Sequence, residues 1–313
     1  MIKPEGIIPA MITPFLANQQ IDEGGLRSLV QRFIAQGVHG LFCLGTNGEF
    51  FTLTYEEKLR VAEIVVEEAA GRVPVYVGTG GISTEGTIRL TRQMEAIGAD
   101  AVSIITPYFL TFTQEELKMH FQLVAASTAL PVMLYNMPNQ TNNPLLPATV
   151  AELAKTPNIV GIKDSSGRFD VILQYLDSVD SHFSVMAGTD SLILPTLMAG
   201  GRGAVAATAN FVPEVVVAIY EKWKSGQIDE AEKAQNLLRP IRHAFRLGTL
   251  PSALKAAMNM LGLPAGPSRL PVGDLGENQQ REIQAMIRQY VDLGVYVDGR
   301  EEMHNDRLLK NDI

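Results

Sequence analysis

The segment "PNIVGIKDSSG", residues 157 to 167, has the composition of a buried β-strand but contains a lysine. Near-continuous apolar runs of this kind are typical of strands in a parallel sheet that helices cover on both faces. A charged ammonium removed from water costs several kcal/mol unless it is paired or neutralised, so Lys163 needs an explanation. The segment therefore indicates the type of sheet and supplies the first candidate functional residue.

Eight runs of this kind recur along the chain, separated by stretches with helical periodicity. Parallel strands need crossover connections, and such helices supply them. Eight strand–helix units favour an α/β fold of the (β/α)8 TIM barrel type over an open doubly wound sheet, for which "AMITPF" (10 to 15) lacks the Gly-x-Gly-x-x-Gly fingerprint. The runs are GIIPAMIT (6 to 13), GLFCLG (40 to 45), VPVYVGTG (73 to 80), AVSIITP (101 to 107), PVMLYNMP (131 to 138), IVGIKD (159 to 164), FSVMAG (183 to 188) and GAVAATAN (203 to 210).

The chain after the eighth run has a helical pattern. We predict a catalytic barrel over residues 1–226 and a C-terminal helical region over residues 227–295 that packs on the barrel. Residues 296–313 are rich in charge, and we predict that this tail is mobile. The helical segments of the C-terminal part are 213–226, 229–247, 250–262 and 276–294.

Two local signals predict helix ends inside the barrel. Thr54 and Glu57 fit a capping box at the start of a helix over residues 54–71, and Gly71 fits its C-cap. The glycine-rich stretch "GTGGIST" after the third strand lacks the Lys-Ser/Thr ending of a phosphate-binding loop. We therefore predict that it is a turn in which Ser83 or Thr84 caps the next helix.

The composition excludes several classes of function. The 313 residues are 46% hydrophobic and 19% charged, as in a soluble globular protein, and the net charge of −8 argues against a nucleic-acid surface. The single cysteine excludes an intramolecular disulfide, and the amino terminus lacks the pattern of a signal peptide. The short apolar stretches predict no membrane span. We expect a cytoplasmic protein whose partners are small molecules and neighbouring proteins.

The carboxyl ends of the barrel strands are where an active site is expected. Several of the predicted strands end in polar residues, namely Thr46, Asn47, Tyr135, Lys163, Asp190 and Asn210. Because side chains alternate along a strand, Lys163 and Gly161 share one face while Asp164 lies on the other. If that face points to the barrel axis, we expect the missing side chain of Gly161 to leave room for a small ligand beside the amine.

Lys163 has two interpretations. A lysine at a strand end can extend to solvent or pair with a carboxylate. Alternatively, an amine removed from water is more easily deprotonated and attacks a carbonyl carbon to form a Schiff base, with a tyrosine on the neighbouring strand as proton shuttle. Tyr135 on the neighbouring strand is placed for that role, although a tyrosine taken alone is more often a half-buried core residue. The turn "GTNGE" (45 to 49) would present backbone N–H groups to a carboxylate or serve only as a turn.

Other catalytic classes find less support. The five histidines show no ligand spacing, so we expect no metal site. Asp164 and Asp190 are candidates for a general base, and each is equally compatible with a cap or an ion pair. The Schiff-base interpretation therefore remains the main one.

Taken together, the motifs resemble those of the dihydrodipicolinate synthase and N-acetylneuraminate lyase family. The order and spacing agree from about residue 5 to 295, which is nearly the whole chain. The motifs are GTNGEF (45 to 50), TPYF (106 to 109), YNMP (135 to 138), GIKD (161 to 164), AGTD (187 to 190) and GGRGAVAATAN (200 to 210).

The resemblance implies a class I, pyruvate-handling lyase that is a homotetramer and uses no metal or organic cofactor. It implies that Lys163 forms the Schiff base with an α-keto acid and that Tyr135 carries protons. Thr46 and Asn47, within the motif that Gly45 begins, would hold the keto-acid carboxylate. The backbones of Gly188 and Val205 would border the substrate.

Departures from the family pattern bear on the second substrate. The synthases have an arginine that binds a second carboxylate where this chain has Gln140, and a second tyrosine where it has Phe109. Neuraminate lyases have an acidic residue and a serine where this chain has Ser191 and Ala207. The residues expected near the mouth are otherwise polar: Asn139, Gln140, Asn142, Asn143 and Asp190.

We therefore predict reversible cleavage of a 2-keto-3-deoxy sugar acid to pyruvate and an aldehyde. Two alternatives stay open. One is a true synthase that condenses pyruvate with aspartate semialdehyde and has a displaced carboxylate anchor. The other is a barrel that binds a keto acid without turnover, and the related dehydratases that use the same Schiff base are not excluded.

Overall fold

A ring of eight parallel strands forms the centre of the protein. The computed structural model describes residues 2–296, so most of the predicted tail at 296–313 lies outside the described residues. Its first residue, Tyr296, is buried, and its hydroxyl donates a hydrogen bond to the carbonyl oxygen of Phe211. The strands are β1 (Gly6–Pro9), β2 (Leu41–Cys43), β3 (Val75–Gly78), β4 (Ala101–Ile105), β5 (Val132–Asn136), β6 (Ile159–Asp164), β7 (Ser184–Ala187) and β8 (Gly203–Ala206).

The order of the strands confirms the predicted barrel. Neighbours follow the order β1-β8-β7-β6-β5-β4-β3-β2, so every strand lies beside its neighbours in the chain and β1 pairs with β8. A parallel bridge between Ala10 and Phe42 joins the β1 side to β2, and the Met11 N–H donates to the Phe42 carbonyl oxygen at 2.9 Å. A doubly wound sheet would reverse its strand order and leave open edges, and this sheet does neither.

Helices cover the outside of the ring and continue into the C-terminal region. They are α1 (Glu23–Ala35), α2 (Tyr55–Ala69), α3 (Thr84–Ile97), α4 (Gln114–Ala126), α5 (Pro138–Thr141), α6 (Pro147–Leu153), α7 (Phe169–Ser178), α8 (Ile193–Met198), α9 (Pro213–Lys224), α10 (Ile228–Leu237), α11 (Arg239–Ala244), α12 (Ser252–Met260) and α13 (Glu277–Asp292). Short 3-10 turns lie at Asp190–Leu192, Thr208–Asn210 and Phe245–Leu247.

The predicted helix starts are confirmed, and one predicted end is shifted. Thr54 and Glu57 form a reciprocal capping box at the start of α2, and Ser83 caps α3 through the Gly86 N–H. At the end of α2, however, Ala70 takes the left-handed cap position with φ +49, one residue before Gly71. Side-chain capping residues therefore predicted the helix ends more accurately than the position of a glycine did.

Two layers of apolar side chains fill the structure. The larger cluster lies between the strands and the surrounding helices. The smaller one contains side chains from the strands, including Phe42, Tyr76, Met133, Met186 and Val205, and fills the inside of the ring. The inside of the barrel is thus a packed core below the strand ends, which leaves the carboxyl ends for chemistry.

The C-terminal helices pack against the barrel as part of the same core. The aromatic rings of Tyr290 and Tyr296 contact Phe211, which follows β8. The helical segment predicted over 229–247 consists of two consecutive helices, α10 and α11, followed by a short 3-10 turn. Pro240 lies in the first turn of α11 and has no N–H with which to continue α10. Within residues 2–296, no helix combines the length and apolar character needed to cross a bilayer.

Candidate active site

Lys163 lies on the inner face of β6, directly beside Tyr135 of β5 in the strand register. It is only 4% exposed, and its ammonium nitrogen lies 4.0 Å from the centroid of the Tyr135 ring and 4.8 Å from that of Phe42. These rings stabilise a cation only modestly. Among residues 2–296 the Lys163 nitrogen has no ion pair and no hydrogen bond. The structure therefore fits neither a lysine that extends to solvent nor one that pairs with a carboxylate.

Asp164 points to the opposite face, as the alternation of side chains predicts. Its carboxylate accepts hydrogen bonds from Asn136 Nδ2 at 2.7 Å and from Ser166 Oγ at 2.6 Å. Burial raises the pKa of Asp164 above its ordinary value, although these donors act in the opposite direction. Asp164 thus ties β5, β6 and the following loop together behind the Lys163 side chain, and it does not line the cavity beside the amine.

The prediction that Gly161 leaves room for a small ligand beside the Lys163 amine is wrong. A Cβ atom at this position would lie 2.6 Å from the carbonyl oxygen of Ser184 on β7, so the neighbouring strand fills the space that we assigned to a ligand. Glycine at 161 permits the close approach of β6 and β7. The space beside the amine lies further along the barrel, beyond the carboxyl ends of the strands.

Two hydroxyl groups face each other beside the lysine. The Thr46 and Tyr135 oxygens are 3.3 Å apart, and the Tyr135 hydroxyl donates to Met137 Sδ at 2.9 Å. Thr46 Oγ1 lies 3.5 Å from the same sulfur. A thioether is a weak acceptor, so it holds the two hydroxyls without competing strongly with a substrate oxygen. The arrangement can pass a proton over a short distance.

The turn that follows β2 presents unpaired backbone donors at the same place. Within residues 2–296, the backbone N–H groups of Thr46 and Asn47 make no hydrogen bond. The turn is held from behind, where Thr13 Oγ1 donates to the Gly48 carbonyl oxygen at 2.7 Å and Asn47 Nδ2 to that of Ala10 at 3.4 Å. Adjacent N–H groups in such a turn form a concave site for an anion such as a carboxylate.

Most of the predicted site residues line one cavity of about 270 Å³ at the carboxyl ends of the strands. Seven of the ten predicted residues line it: Thr46, Asn47, Tyr135, Lys163, Gly188, Asp190 and Val205. Other cavities, of about 400 and 480 Å³, lie against the C-terminal helices and contain none of these residues. The structure thus brings the predicted residues together, and their roles in chemistry remain predictions.

Three of the predicted binding residues do not line this cavity. Gly45 lies under the Phe42 ring, because a Cβ atom there would meet Phe42 Cε1 at 2.6 Å. Gln140 is exposed on the short helix α5. Phe109 is 87% exposed and adopts φ +88, a left-handed conformation that is uncommon for an aromatic residue.

Asp190 lines the cavity, but its carboxylate is already engaged. Oδ2 accepts from the Thr208 N–H at 2.6 Å and Oδ1 from the Ala207 N–H at 3.2 Å. The side chain is 1% exposed. Asp190 therefore holds the loop after β8 in place, and this agrees with the capping alternative considered from the sequence.

Sequence reasoning missed the contribution of the C-terminal helices to the cavity. Arg242 of α11, together with Phe245 and Leu250, lines its wall. These residues have only the sequence pattern of a helix that packs on the barrel, and no local signal shows that the helix reaches the strand ends. Within residues 2–296, no group of three or more His, Cys, Asp or Glu side chains is arranged to hold a metal ion.

The fold and this cavity define a (β/α)8-barrel protein with the buried, unpaired amine of a class I aldolase. The sequence pattern of the dihydrodipicolinate synthetase family matches residues 3–290. The chain belongs to this family. It is accordingly an aldolase or synthase that acts on pyruvate.

Relatives with a named activity cover nearly the full chain. The 4-hydroxy-tetrahydrodipicolinate synthase of Methanopyrus kandleri is 39% identical over 297 residues, which cover 94% of this chain and 98% of the relative. The enzyme of the same name from Methanoculleus marisnigri is 40% identical over 286 residues, covering 90% and 98%. These names match the synthase alternative better than the predicted sugar-acid aldolase.

Solved structures agree with the fold. The 4-hydroxy-tetrahydrodipicolinate synthase of Methylacidiphilum fumariolicum SolV superimposes with a TM-score of 0.90 at 34% identity and covers 93% of this chain and 97% of its own. YagE from Escherichia coli K12, a family member solved in complex with pyruvate, has a TM-score of 0.88 at 35% identity and covers 91% and 98%.

Proposed function

We propose that this protein forms an imine between Lys163 and pyruvate and then joins the bound pyruvate to an aldehyde. The observation that carries the proposal is the Lys163 amine, which is 4% exposed and has no ion pair among residues 2–296. A buried cation without a counter-ion is costly, and a role as nucleophile explains why the chain retains it.

The unpaired N–H groups of Thr46 and Asn47 support a site for the pyruvate carboxylate. They lie on the wall of the cavity that contains Lys163, and the turn that carries them is held from behind by Thr13. A carboxylate bound there would place the keto carbon toward the amine. Gly188 and Val205 would then form the apolar wall beside the pyruvate methyl group.

Tyr135 would move the protons of the reaction. Attack of the amine on the keto carbon forms a C–N bond, and loss of the keto oxygen as water needs a proton on that oxygen. The methyl group of the imine must next lose a proton to give the nucleophilic enamine. The Tyr135 phenol contacts a weak thioether acceptor and is therefore available for both transfers. The Thr46 hydroxyl lies 3.3 Å away and could share the proton.

The second substrate that we propose is aspartate semialdehyde, in agreement with the names of the curated relatives. The enamine carbon attacks the aldehyde carbon, a C–C bond forms, and the aldehyde oxygen takes up a proton. The amino group of the adduct then displaces Lys163 from the imine carbon, which closes a ring and restores the amine. No metal or organic cofactor takes part in these steps.

A second candidate is the cleavage of a 2-keto-3-deoxy sugar acid to pyruvate and a neutral aldehyde. Gln140 favours it, because the resemblance places an arginine at this position in synthases. Asn139 lines the cavity and could bind a hydroxyl group of a sugar chain. The two candidates share the imine at Lys163 and differ only in the charge of the aldehyde.

The experiment that separates the candidates uses purified wild-type protein and the K163R variant. Each is incubated with pyruvate and aspartate semialdehyde, or with a 2-keto-3-deoxy hexonate, and products are identified by mass spectrometry. We expect the seven-carbon cyclic adduct of pyruvate and the semialdehyde in the wild type only. Release of pyruvate from the hexonate without condensation of the semialdehyde would support the second candidate. Reductive trapping of pyruvate on the protein without either reaction would support a barrel that binds a keto acid without turnover.

We also propose that the protein is a homotetramer, as the family resemblance implies. Phe109 and Leu110 are 87% and 61% exposed, and Phe109 has a left-handed backbone conformation. Exposed neighbouring apolar residues on a strained turn are suited to contact a second copy of the chain. The cytoplasmic location stays a prediction.

A further inference from the structure

Arg242 is a cation on the wall of the cavity that contains Lys163. It is half-buried on α11, where its guanidinium carbon lies 5.9 Å from the centroid of the Phe245 ring. Among residues 2–296 the Arg242 guanidinium makes no hydrogen bond and no ion pair. An arginine has five N–H donors in a planar fork, so this side chain has unused capacity to bind an anion.

Within residues 2–296, no anionic side chain on the cavity wall pairs with the Arg242 guanidinium. Three charged side chains line the cavity: Lys163, Asp190 and Arg242. Both oxygens of Asp190 accept backbone N–H groups, and no ion pair joins its carboxylate to Arg242 within the described chain. The carboxylate of one bound pyruvate would bring the formal charge of the cavity to zero, but it would lie at the Thr46 turn, and the Arg242 guanidinium would still have no anionic partner within residues 2–296. A second anionic group could pair with this guanidinium directly.

The position of Arg242 separates it from the expected pyruvate site. The donors proposed for pyruvate come from the turn after β2, whereas Arg242 comes from the C-terminal helices. Arg242, Phe245 and Leu250 also line an adjoining cavity of about 480 Å³, so they lie between this wider space and the cavity of Lys163. Gln140, by contrast, is exposed and lines neither.

We propose that Arg242 binds the carboxylate of the aldehyde substrate and makes the enzyme selective for anionic aldehydes such as semialdehydes of amino acids. The inference rests on the proposed function, since it concerns the second substrate of the same reaction. A bidentate guanidinium–carboxylate pair would orient the aldehyde carbon toward the enamine and would take over the role that glutamine at position 140 cannot fill. The C-terminal helical region then contributes directly to substrate choice.

The test compares two aldehydes in variants of two arginines. R242Q and R242K remove or weaken the bidentate contact, and R239Q removes an exposed arginine of the same helix that does not line the cavity of Lys163. Condensation of pyruvate is measured with aspartate semialdehyde and with neutral glyceraldehyde. We expect R242Q to lower kcat/KM for the semialdehyde by roughly 10- to 100-fold, mainly through KM, as for loss of a charged hydrogen-bonded pair.

The pattern across variants distinguishes this inference from its alternatives. R242K should recover part of the loss, R239Q should behave as the wild type, and the KM for pyruvate should stay the same in all three. Glyceraldehyde should be used poorly by the wild type and should lose no further rate in R242Q. An unchanged semialdehyde KM in R242Q, or a rise in the pyruvate KM instead, would overturn the inference.

Failure of the proposed function gives a different result. Borohydride reduction with pyruvate traps the imine without any aldehyde, so R242Q and the wild type should be trapped equally. If the wild type is trapped but converts only neutral aldehydes, the assignment of Arg242 is overturned while the imine at Lys163 stands. If the wild type is not trapped at all, the proposed function fails, and the inference fails with it.

Discussion

Glu49 and Lys255 form an ion pair of 2.6 Å whose side chains are 0% and 2% exposed. Glu49 lies in the turn that presents Thr46 and Asn47, and it adopts φ +52. Its other oxygen accepts the N–H of Arg269 at 2.8 Å, and Lys255 also donates to the carbonyl oxygen of Pro267 at 2.9 Å. The C-terminal helices therefore hold the proposed carboxylate-binding turn through a buried pair of charges.

Replacing Lys255 by methionine should destabilise the fold strongly. Removal of one partner leaves a buried charge uncompensated, which costs about 3–5 kcal/mol of the free energy of unfolding. Urea unfolding of K255M measures this loss. K155M, which breaks the exposed ion pair with Glu152, is the control and should unfold as the wild type does. A K255M protein as stable as the wild type would contradict the role of the pair.

Replacing Tyr135 by phenylalanine should slow turnover and leave the imine intact. The phenol is the proposed proton carrier, and such groups contribute roughly 10²- to 10⁴-fold to a rate. Steady-state kinetics of Y135F should show the loss in kcat, while borohydride trapping with pyruvate reaches completion more slowly. Y108F, whose hydroxyl does not reach the cavity, should keep full activity. Equal loss in both variants would argue against a specific role of Tyr135.

Replacing Phe109 by aspartate should break the proposed assembly. A charge at this 87% exposed position would have to be buried in a contact between copies of the chain. Analytical ultracentrifugation of F109D should show smaller species than the wild type, and F109Y should retain the wild-type size because it preserves the ring. Sedimentation of the wild type as a monomer would refute the assembly itself.

The stability of the protein should fall on acidification because of His120. Burial lowers the pKa of this histidine from 6.5 to about 4, and Thr84 Oγ1 lies 2.9 Å from its Nδ1. Between these two pKa values the unfolded chain binds a proton that the folded chain does not, so the free energy of unfolding decreases as the pH falls from 6.5 to 4. The loss is about 3 kcal/mol at the acid end.

Urea midpoints at pH 7 and pH 4.5 provide the measurement for His120. The H120N variant retains a polar side chain but cannot take up the proton, so its midpoint should depend less on pH over this range. If the two proteins show the same pH dependence, other groups dominate the acid sensitivity.

The eight strands and their order could be predicted because each is a short apolar run followed by a helical pattern, and adjacency in the chain then fixes the ring. The caps at Thr54 and Ser83 were equally accessible, since they depend on contacts over three residues. The break between α10 and α11 also has a local signal, since Pro240 lacks the N–H that would continue α10.

The features that the sequence could not show arise from contacts between distant segments. Gly161 serves the approach of β7 because Ser184 occupies the space beside it. Arg242 reaches the cavity only because the C-terminal helices pack over the strand ends. The ion pair between Glu49 and Lys255 joins residues far apart in the chain, and no local sequence pattern predicts it.

The most direct test of the account is reduction of the protein with borohydride in the presence of pyruvate, followed by peptide mass spectrometry. We expect one adduct, with the mass of pyruvic acid less one oxygen atom, on the peptide that contains Lys163. Lys255 is the internal control, since it is also buried but is paired with Glu49 and lies outside the cavity of Lys163. Absence of the adduct from folded protein, or its appearance on Lys255, would contradict the account.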